Sequence, residues 1–118
     1  MKLVYASRTG NVEKFVGKLG ITDAVKITTG DEEVDEDFIL ICYNDGEGEI
    51  PDIVRKFLDN NAFLCQGVFT SGNIVRHPYT YNLAAEKINE EYDLPILGKF
   101  DTEGDEDDVD MVLEAFGK

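Results

Sequence analysis

Apolar and polar positions along this chain fall into blocks whose period switches between strand and helix. Lys2 to Ala6 (Lys-Leu-Val-Tyr-Ala) is an apolar run of strand length, and from Asn11 to Leu19 the residues Val12, Phe15, Val16 and Leu19 fall on one helical face. Gly20 is placed to stop that helix, and Ala24 to Thr28 reads as a second, partly exposed strand with Val25 and Ile27 on one side. Thr29 to Asp37 is an acidic loop. Phe38-Ile39-Leu40-Ile41-Cys42 is a continuous apolar run, the pattern of a central strand covered on both faces. It ends at Tyr43 to Glu49, where turn formers and two glycines oppose regular structure. Ile50-Pro51 opens a helix, with Pro in its first turn and Ile53, Val54, Phe57 and Leu58 facing inward. Leu64 to Thr70 reads as a fourth strand that stops at Ser71-Gly72-Asn73. From Tyr79 to about Tyr92 a helical pattern carries Leu83, Ala84 and Ile88, and Pro95 to Phe100 supplies a fifth strand. After the turn Glu103-Gly104-Asp105, Val109, Val112, Leu113 and Phe116 predict a last amphipathic helix.

Strands that alternate with helices imply a parallel sheet with helices on both faces, because right-handed crossovers place them there. For five strands the simplest doubly wound order is 2-1-3-4-5, a three-layer α/β sandwich, and residues 1–118 read as a single domain. In that order the polar loops after strands one, three and four meet at one edge, the switch point where ligands bind.

The loop after the first strand is Ser7-Arg8-Thr9-Gly10-Asn11. A strand that stops at small hydroxyl residues and glycine before a helix leaves unpaired backbone N–H groups pointing out of the helix start. Ser7 and Thr9 add hydroxyl donors, Gly10 lets the backbone approach closely, and Asn11 is expected to cap the helix; a phosphate suits such a cradle. The same residues also suit an ordinary capped turn, and Arg8 suits either a phosphate or solvent.

Composition narrows the function class. Among 118 residues, 42% are hydrophobic, enough for one core, and no apolar run approaches the roughly 20 residues that span a bilayer. The N-terminus lacks a signal-peptide pattern, and Cys42 and Cys65 sit inside predicted strands, which suits buried reduced thiols; the expected location is the cytoplasm. Lys and Arg total 11 against 25 Asp and Glu, a net charge of -14 that disfavours nucleic acid and anionic membranes. A basic protein partner fits this surface, though an acid excess also serves solubility alone. His77 is the only histidine, so no His-based metal cluster is expected, and Asp105 to Asp108 reads as a helix start favoured by the dipole.

Taken together, Ser7 to Asn11, Tyr43 to Pro51 with Gly46 and Gly48, Gly67-Val68 before Ser71-Gly72-Asn73, and Lys99-Phe100 with Gly104 and Asp108-Val109 resemble the NrdI family. These are small flavodoxin-like proteins that serve class Ib ribonucleotide reductase. The resemblance implies a flavodoxin-like fold and an FMN cofactor whose phosphate lies on Ser7, Arg8, Thr9, Gly10 and Asn11. Tyr43, Asn44, Asp45 and Gly46 would line the isoalloxazine, and Ser71, Gly72 and Asn73 would close its other side. It further implies a reduced flavin that reacts with dioxygen and supplies oxidant to the reductase small subunit, where a dimanganese site forms a tyrosyl radical. An electron-donating reductase or thiol-redox protein would recharge it. Gly46 is the expected hinge that lets a backbone carbonyl turn toward flavin N5, while Asp45, Glu47 and Glu49 would disfavour an anionic reduced flavin. Glu47 stands where relatives carry an aromatic between two glycines, and Ile74 to Pro78 replaces their Asn, aromatic and Gly; both departures fall where flavin edge and partner would meet. A plain electron carrier and a flavin-free adaptor of the same fold are the competing classes. A phosphoacceptor receiver is excluded, because the first strand ends in Ala6-Ser7 and the third in Cys42-Tyr43.

Overall fold

Alternate residues of the central strands face opposite sides of one sheet, and the helices divide between those sides. The computed structural model describes residues 1–118. Strands β1 (Lys2–Tyr5), β2 (Ala24–Lys26), β3 (Phe38–Tyr43), β4 (Cys65–Gly72) and β5 (Ile96–Asp101) alternate with helices α1 (Asn11–Leu19), α2 (Asp52–Asn61), α3 (Leu83–Tyr92) and α4 (Glu106–Ala115). The sheet is parallel throughout, in the order β2-β1-β3-β4-β5, as the alternation of periods predicts.

Leu3, Ile39, Ile41, Phe69 and Phe100 pack under α1 and α4, against Val12, Phe15, Val16, Leu19 and Val112. Val4, Leu40, Cys42 and Val68 pack under α2 and α3, against Val54, Phe57, Leu58 and Ile88. A buried leucine, valine or phenylalanine contributes roughly 1.5–3 kcal/mol relative to leaving it exposed, so these two layers fix the sheet from which the loops leave. Phe15 stacks on Phe100 at 4.2 Å and Phe38 meets Phe57 edge-on at 5.5 Å, one aromatic pair per layer. No helix is long and apolar enough to cross a membrane.

Several boundaries differ from the expected ones. β4 runs on through Ser71 and Gly72, because Asn44 N donates to Ser71 O at 3.3 Å and Thr102 N to Gly72 O at 2.7 Å, prolonging the ladder. α3 begins at Leu83, not Tyr79, since Asn82 takes a left-handed conformation (φ 54°) and residues 79–82 form turns. Pro51 precedes α2 as its cap residue, outside the first helical turn. The segment 43–49 is not wholly irregular: Asp45 and Glu49 form an antiparallel bridge. The last helix begins as expected, with Asp105 accepting from Asp108 N and the Asp108 carboxylate accepting from Asp105 N. That reciprocal pair holds the Asp105 carboxyl below its usual value through the Asp108 N–H bond, while burial pushes Asp108 up. Cys42 and Cys65 are free and buried, and desolvation pushes their thiols up to about 12 and about 11.

Candidate functional site

Three loops leave the C-terminal ends of β1, β3 and β4 on one rim and enclose a cleft of about 590 Å³. That volume suits a small ligand or cofactor. Among the expected residues, Ser7, Arg8, Thr9, Asn11, Tyr43, Asn44, Gly46, Glu47, Ser71, Gly72 and Asn73 line it; Gly10 and Asp45 do not.

In the first loop the cap is not the expected one. Asn11 is already helical, Gly10 precedes it at φ 96°, and the Ser7 hydroxyl accepts from Glu13 N at 3.2 Å. Ser7 reaches over the loop to the third residue of the helix, which a short side chain at the first helical position cannot do. The backbone N–H groups of Thr9, Gly10, Asn11 and Val12 then find no acceptor within the chain, and neither the Thr9 hydroxyl nor the Asn11 amide makes a hydrogen bond. Open donors at the positive end of a helix dipole form an anion cradle.

The second loop closes on itself through Asp45 N to Glu49 O (2.9 Å), Glu49 N to Asp45 O (2.7 Å) and Gly48 N to Asp45 O (3.0 Å). Its two glycines do different things. Gly48 (φ 90°) is wedged against α3, where a Cβ would sit 2.7 Å from Leu83 Cβ, whereas Gly46 (φ 49°) has no heavy atom within 4 Å of that position. One anchors the loop and the other leaves its tip free to rearrange. Asp45 turns away from the cleft to pair with Arg8 at 2.7 Å, and the guanidinium lies 5.7 Å from the centre of the Tyr43 ring. Burial, and next the Asp45 charge, push the Tyr43 phenol up. Glu49 pairs with Lys87 at 2.8 Å, which leaves Glu47 as the carboxylate at the cleft without an ion-pair partner.

Beneath the cleft lies a polar network that periodicity does not reveal. Asn82, fully buried, accepts from Thr70 Oγ1 (2.7 Å) and Asn44 Nδ2 (3.0 Å) and donates to Phe100 O (3.1 Å). Asn44 donates also to Ser71 O (2.9 Å) and accepts from Ala84 N (2.7 Å), capping α3 from across the fold. Two asparagine amides thus tie the ends of β3, β4 and β5 to the start of α3, and no buried side-chain polar atom lacks a partner. Thr80, Tyr81 and Asn82 line the cleft with Arg76 and His77. Asn before Leu83-Ala84-Ala85 is a helix-start signal, and it would have found Asn82.

The third loop is built on its own turns. Asn73 accepts from Arg76 N through its side chain (3.0 Å) and from His77 N through its carbonyl (2.8 Å), Ile74 N donates to Asp101 Oδ1 (3.0 Å), and Ser71 Oγ donates to Thr102 O. Of the three arginines, Arg8 and Arg55 are ion-paired, with Asp45 and Glu91, and Arg76 has no carboxylate partner.

A parallel sheet of order 2-1-3-4-5, with an anion cradle after its first strand and a cleft between the first, third and fourth loops, defines a flavodoxin-like protein. In overall structure it resembles a short-chain flavodoxin associated with a non-canonical PDU bacterial microcompartment, with a TM-score of 0.67 over 96% of this chain and 90% of that one, at 19% identity. Residues 3–114 match the family model described as NrdI flavodoxin-like. The sequence is 42% identical to Protein NrdI of Bacillus licheniformis over 114 residues, covering 97% of this chain and 86% of that protein. The chain belongs to the NrdI family.

Proposed function

We propose that the chain is an FMN-binding redox protein that serves the small subunit of a class Ib ribonucleotide reductase in the cytoplasm. The observation that carries the reading is the set of backbone N–H groups from Thr9 to Val12 without an acceptor in the chain, at one end of a cleft whose far side is made by Tyr43 and Ser71 to Asn73. The donor set fits a phosphate monoester. Ser7 holds the cradle's shape by capping Glu13, Thr9 and Asn11 add side-chain donors, and Gly10 keeps the helix entry in its left-handed conformation. Tyr43 and Asn44 offer an aromatic face and a fixed floor to a ring system, with Ser71, Gly72 and Asn73 opposite.

When bound, FMN supplies electron transfer and, once reduced, reaction with dioxygen to superoxide or peroxide, which this reading assigns to dimanganese–tyrosyl radical assembly in the small subunit. The protein's part is to set charge and hydrogen bonds around the ring. Gly46, unpacked at the loop tip, is the residue that lets a carbonyl swing toward a protonated ring nitrogen. Asp45 contributes less repulsion than its position suggests, because Arg8 neutralises it, and Glu47 carries the electrostatic tuning. Replacing Glu47→Gln raises the potential of the reduced flavin by on the order of 30 mV, since an exposed charge acts across water. Spectroelectrochemistry of the FMN-loaded variant measures it. An electron-donating reductase or thiol-redox protein recharges the flavin.

The deciding experiment mixes the reduced, FMN-loaded protein with manganese-loaded small subunit and admits air. A tyrosyl-radical signal by electron paramagnetic resonance is expected. A protein that oxidises normally but leaves the subunit without radical is instead a plain electron carrier, the reading that the net charge of -14 favours for docking on a basic reductase. A colourless protein that ignores added FMN would be a flavin-free adaptor.

A further inference from the structure

Three residues other than glycine hold a left-handed backbone: Asn82 (φ 54°), Asp93 (φ 57°) and Thr102 (φ 48°). Asparagine and aspartate tolerate that region, whereas a β-branched threonine is a true outlier there. The first two have local reasons. Asn82 commits its amide beneath the cleft, and Asp93 ends α3 with its N–H donating to Asn89 O. Thr102 has no such reason in its side chain, whose hydroxyl makes no hydrogen bond; its backbone supplies one.

Thr102 stands just after β5, in the turn 101–104, and neither it nor Asp101 lines the cleft. Thr102 N donates to Gly72 O at 2.7 Å, Thr102 O accepts from Ser71 Oγ, and Asp101 Oδ1 accepts from Ile74 N at 3.0 Å. These bonds hold the end of β4, which forms the third wall of the cleft. The other side of the turn rests on α1. Lys18 Nζ donates to Glu103 O and Gly104 O, both at 3.1 Å, and Gly104 (φ 68°) sits so close to the helix that a Cβ would lie 2.6 Å from Phe15 Cδ1. Gly104 N closes the turn on Asp101 O at 2.9 Å. Because the first turn of α1 carries the open N–H groups, this turn joins the helix of the anion cradle to the opposite wall.

We infer that Thr102 is a positioning residue: the turn 101–104 is the spacer that sets the distance between the cradle and the wall Ser71–Asn73, and the left-handed backbone of Thr102 lets the spacer reach both. Strain of this kind persists only where surrounding contacts over-determine the backbone, and here α1 fixes the turn from one side and β4 from the other. The spacing matters to a ligand that engages both ends of the cleft at once, a planar ring carrying a phosphate ester. It matters far less to the ring alone. The inference rests on FMN being the ligand.

The test compares Thr102→Gly and Thr102→Asn with the unaltered protein by urea unfolding, by amide exchange of Ile74 N–H in the FMN-free protein, and by fluorescence titration with FMN and with riboflavin, which has the ring without the phosphate. Thr102→Gly is expected to raise the urea midpoint, since relief at a β-branched left-handed residue outweighs the extra freedom glycine gives the unfolded chain. Glycine also opens other conformations to the turn, so the fraction of protein with correctly spaced walls falls. Ile74 N–H is expected to exchange about tenfold faster, and FMN to bind about fivefold more weakly with riboflavin changed less than twofold. Thr102→Asn, which tolerates the left-handed region without glycine's freedom, restores FMN affinity to within twofold. A gain in stability beside a loss confined to the phosphorylated ligand is an outcome that a merely structural residue does not give. FMN affinity of Thr102→Gly within twofold of the unaltered protein, equal weakening of FMN and riboflavin, or a lowered urea midpoint each overturns the inference and leaves the proposed function standing. Should the unaltered protein bind neither flavin, the proposed function falls, and Ile74 exchange, read without FMN, decides the spacer by itself: an unchanged rate overturns it.

Discussion

Two neighbouring loops on the same rim of the sheet present clustered backbone N–H groups, and they meet opposite fates. After β1, the donors of Thr9 to Val12 have no acceptor in the chain. After β2, the Glu32 carboxylate fills the equivalent cradle, accepting from Thr28 N (2.8 Å), Thr28 Oγ1 (2.8 Å), Thr29 N (3.1 Å) and Gly30 N (2.9 Å). Burial raises the Glu32 carboxyl, but these donors outweigh it and bring it down to about 2. Donor geometry alone therefore does not make a ligand site. What separates a structural cradle from a binding one is whether the chain supplies its own anion, and here the answer differs between adjacent strands.

The comparison breaks most sharply if the first loop is made to resemble the second. Thr9→Asp places a carboxylate among the open donors, where it occupies them and repels a phosphate. At an effective dielectric of about 20, two unit charges about 4 Å apart interact by about 4 kcal/mol, so FMN affinity is expected to fall by about 100-fold or more. Fluorescence quenching of FMN measures the loss, and an unchanged affinity would remove the cradle from the site.

The converse change empties the second loop. Glu32→Ala leaves three N–H groups without their charged acceptor and lowers stability by about 2 kcal/mol in urea unfolding, with FMN affinity unchanged. The loss depends on pH in a fixed direction. Because the folded carboxyl titrates at about 2 and its ordinary value is 4.5, the stabilisation is complete above pH 4.5 and disappears as pH falls toward 2. Stability curves of the two proteins should therefore converge over that interval. A constant gap would show that Glu32 acts through packing.

Asn82→Gly tests the floor that both rims share. Glycine keeps the left-handed backbone but removes the side-chain partner of Thr70 Oγ1 and Phe100 O and one of the two acceptors of Asn44 Nδ2, at a stability loss of about 1–2 kcal/mol. Flavin affinity should fall with it, because Asn44 loses one of its three hydrogen bonds. The smallest effect belongs to Asp45→Asn, which releases the exposed Arg8 guanidinium; FMN affinity is expected to rise about twofold, with little change in stability. A decrease would mean that the Arg8–Asp45 pair holds the loop in its binding shape.

Much of this arrangement was legible before the fold was known. The strand and helix periods, the loop Ser7 to Asn11 and the loops after the third and fourth strands all carry local signals, because side-chain direction and turn chemistry depend on residues a few positions apart. What local pattern did not reveal shares a cause. Asn11 has the right chemistry for a cap, but Ser7 takes the role from across the loop. Asp45 has the right position to act on a ring, but Arg8, 37 residues earlier, turns it aside. Asn82 sits in what reads as the first turns of a helix, and its partners Asn44 and Phe100 come from other strands.

Local pattern by itself determined the alternation of elements, the parallel sheet and the rim on which a ligand site had to lie, since each follows from hydrophobic period and from chain connection rules. Tertiary structure decided which polar groups on that rim are free. Glu32 closes one cradle, Arg8 withdraws Asp45, and the two asparagines spend their amides on strand ends, whereas Thr9 to Val12 and Arg76 keep theirs unspent. A hydrogen bond or an ion pair needs two groups within about 3 Å, and only the folded chain brings residues so far apart in sequence to that distance.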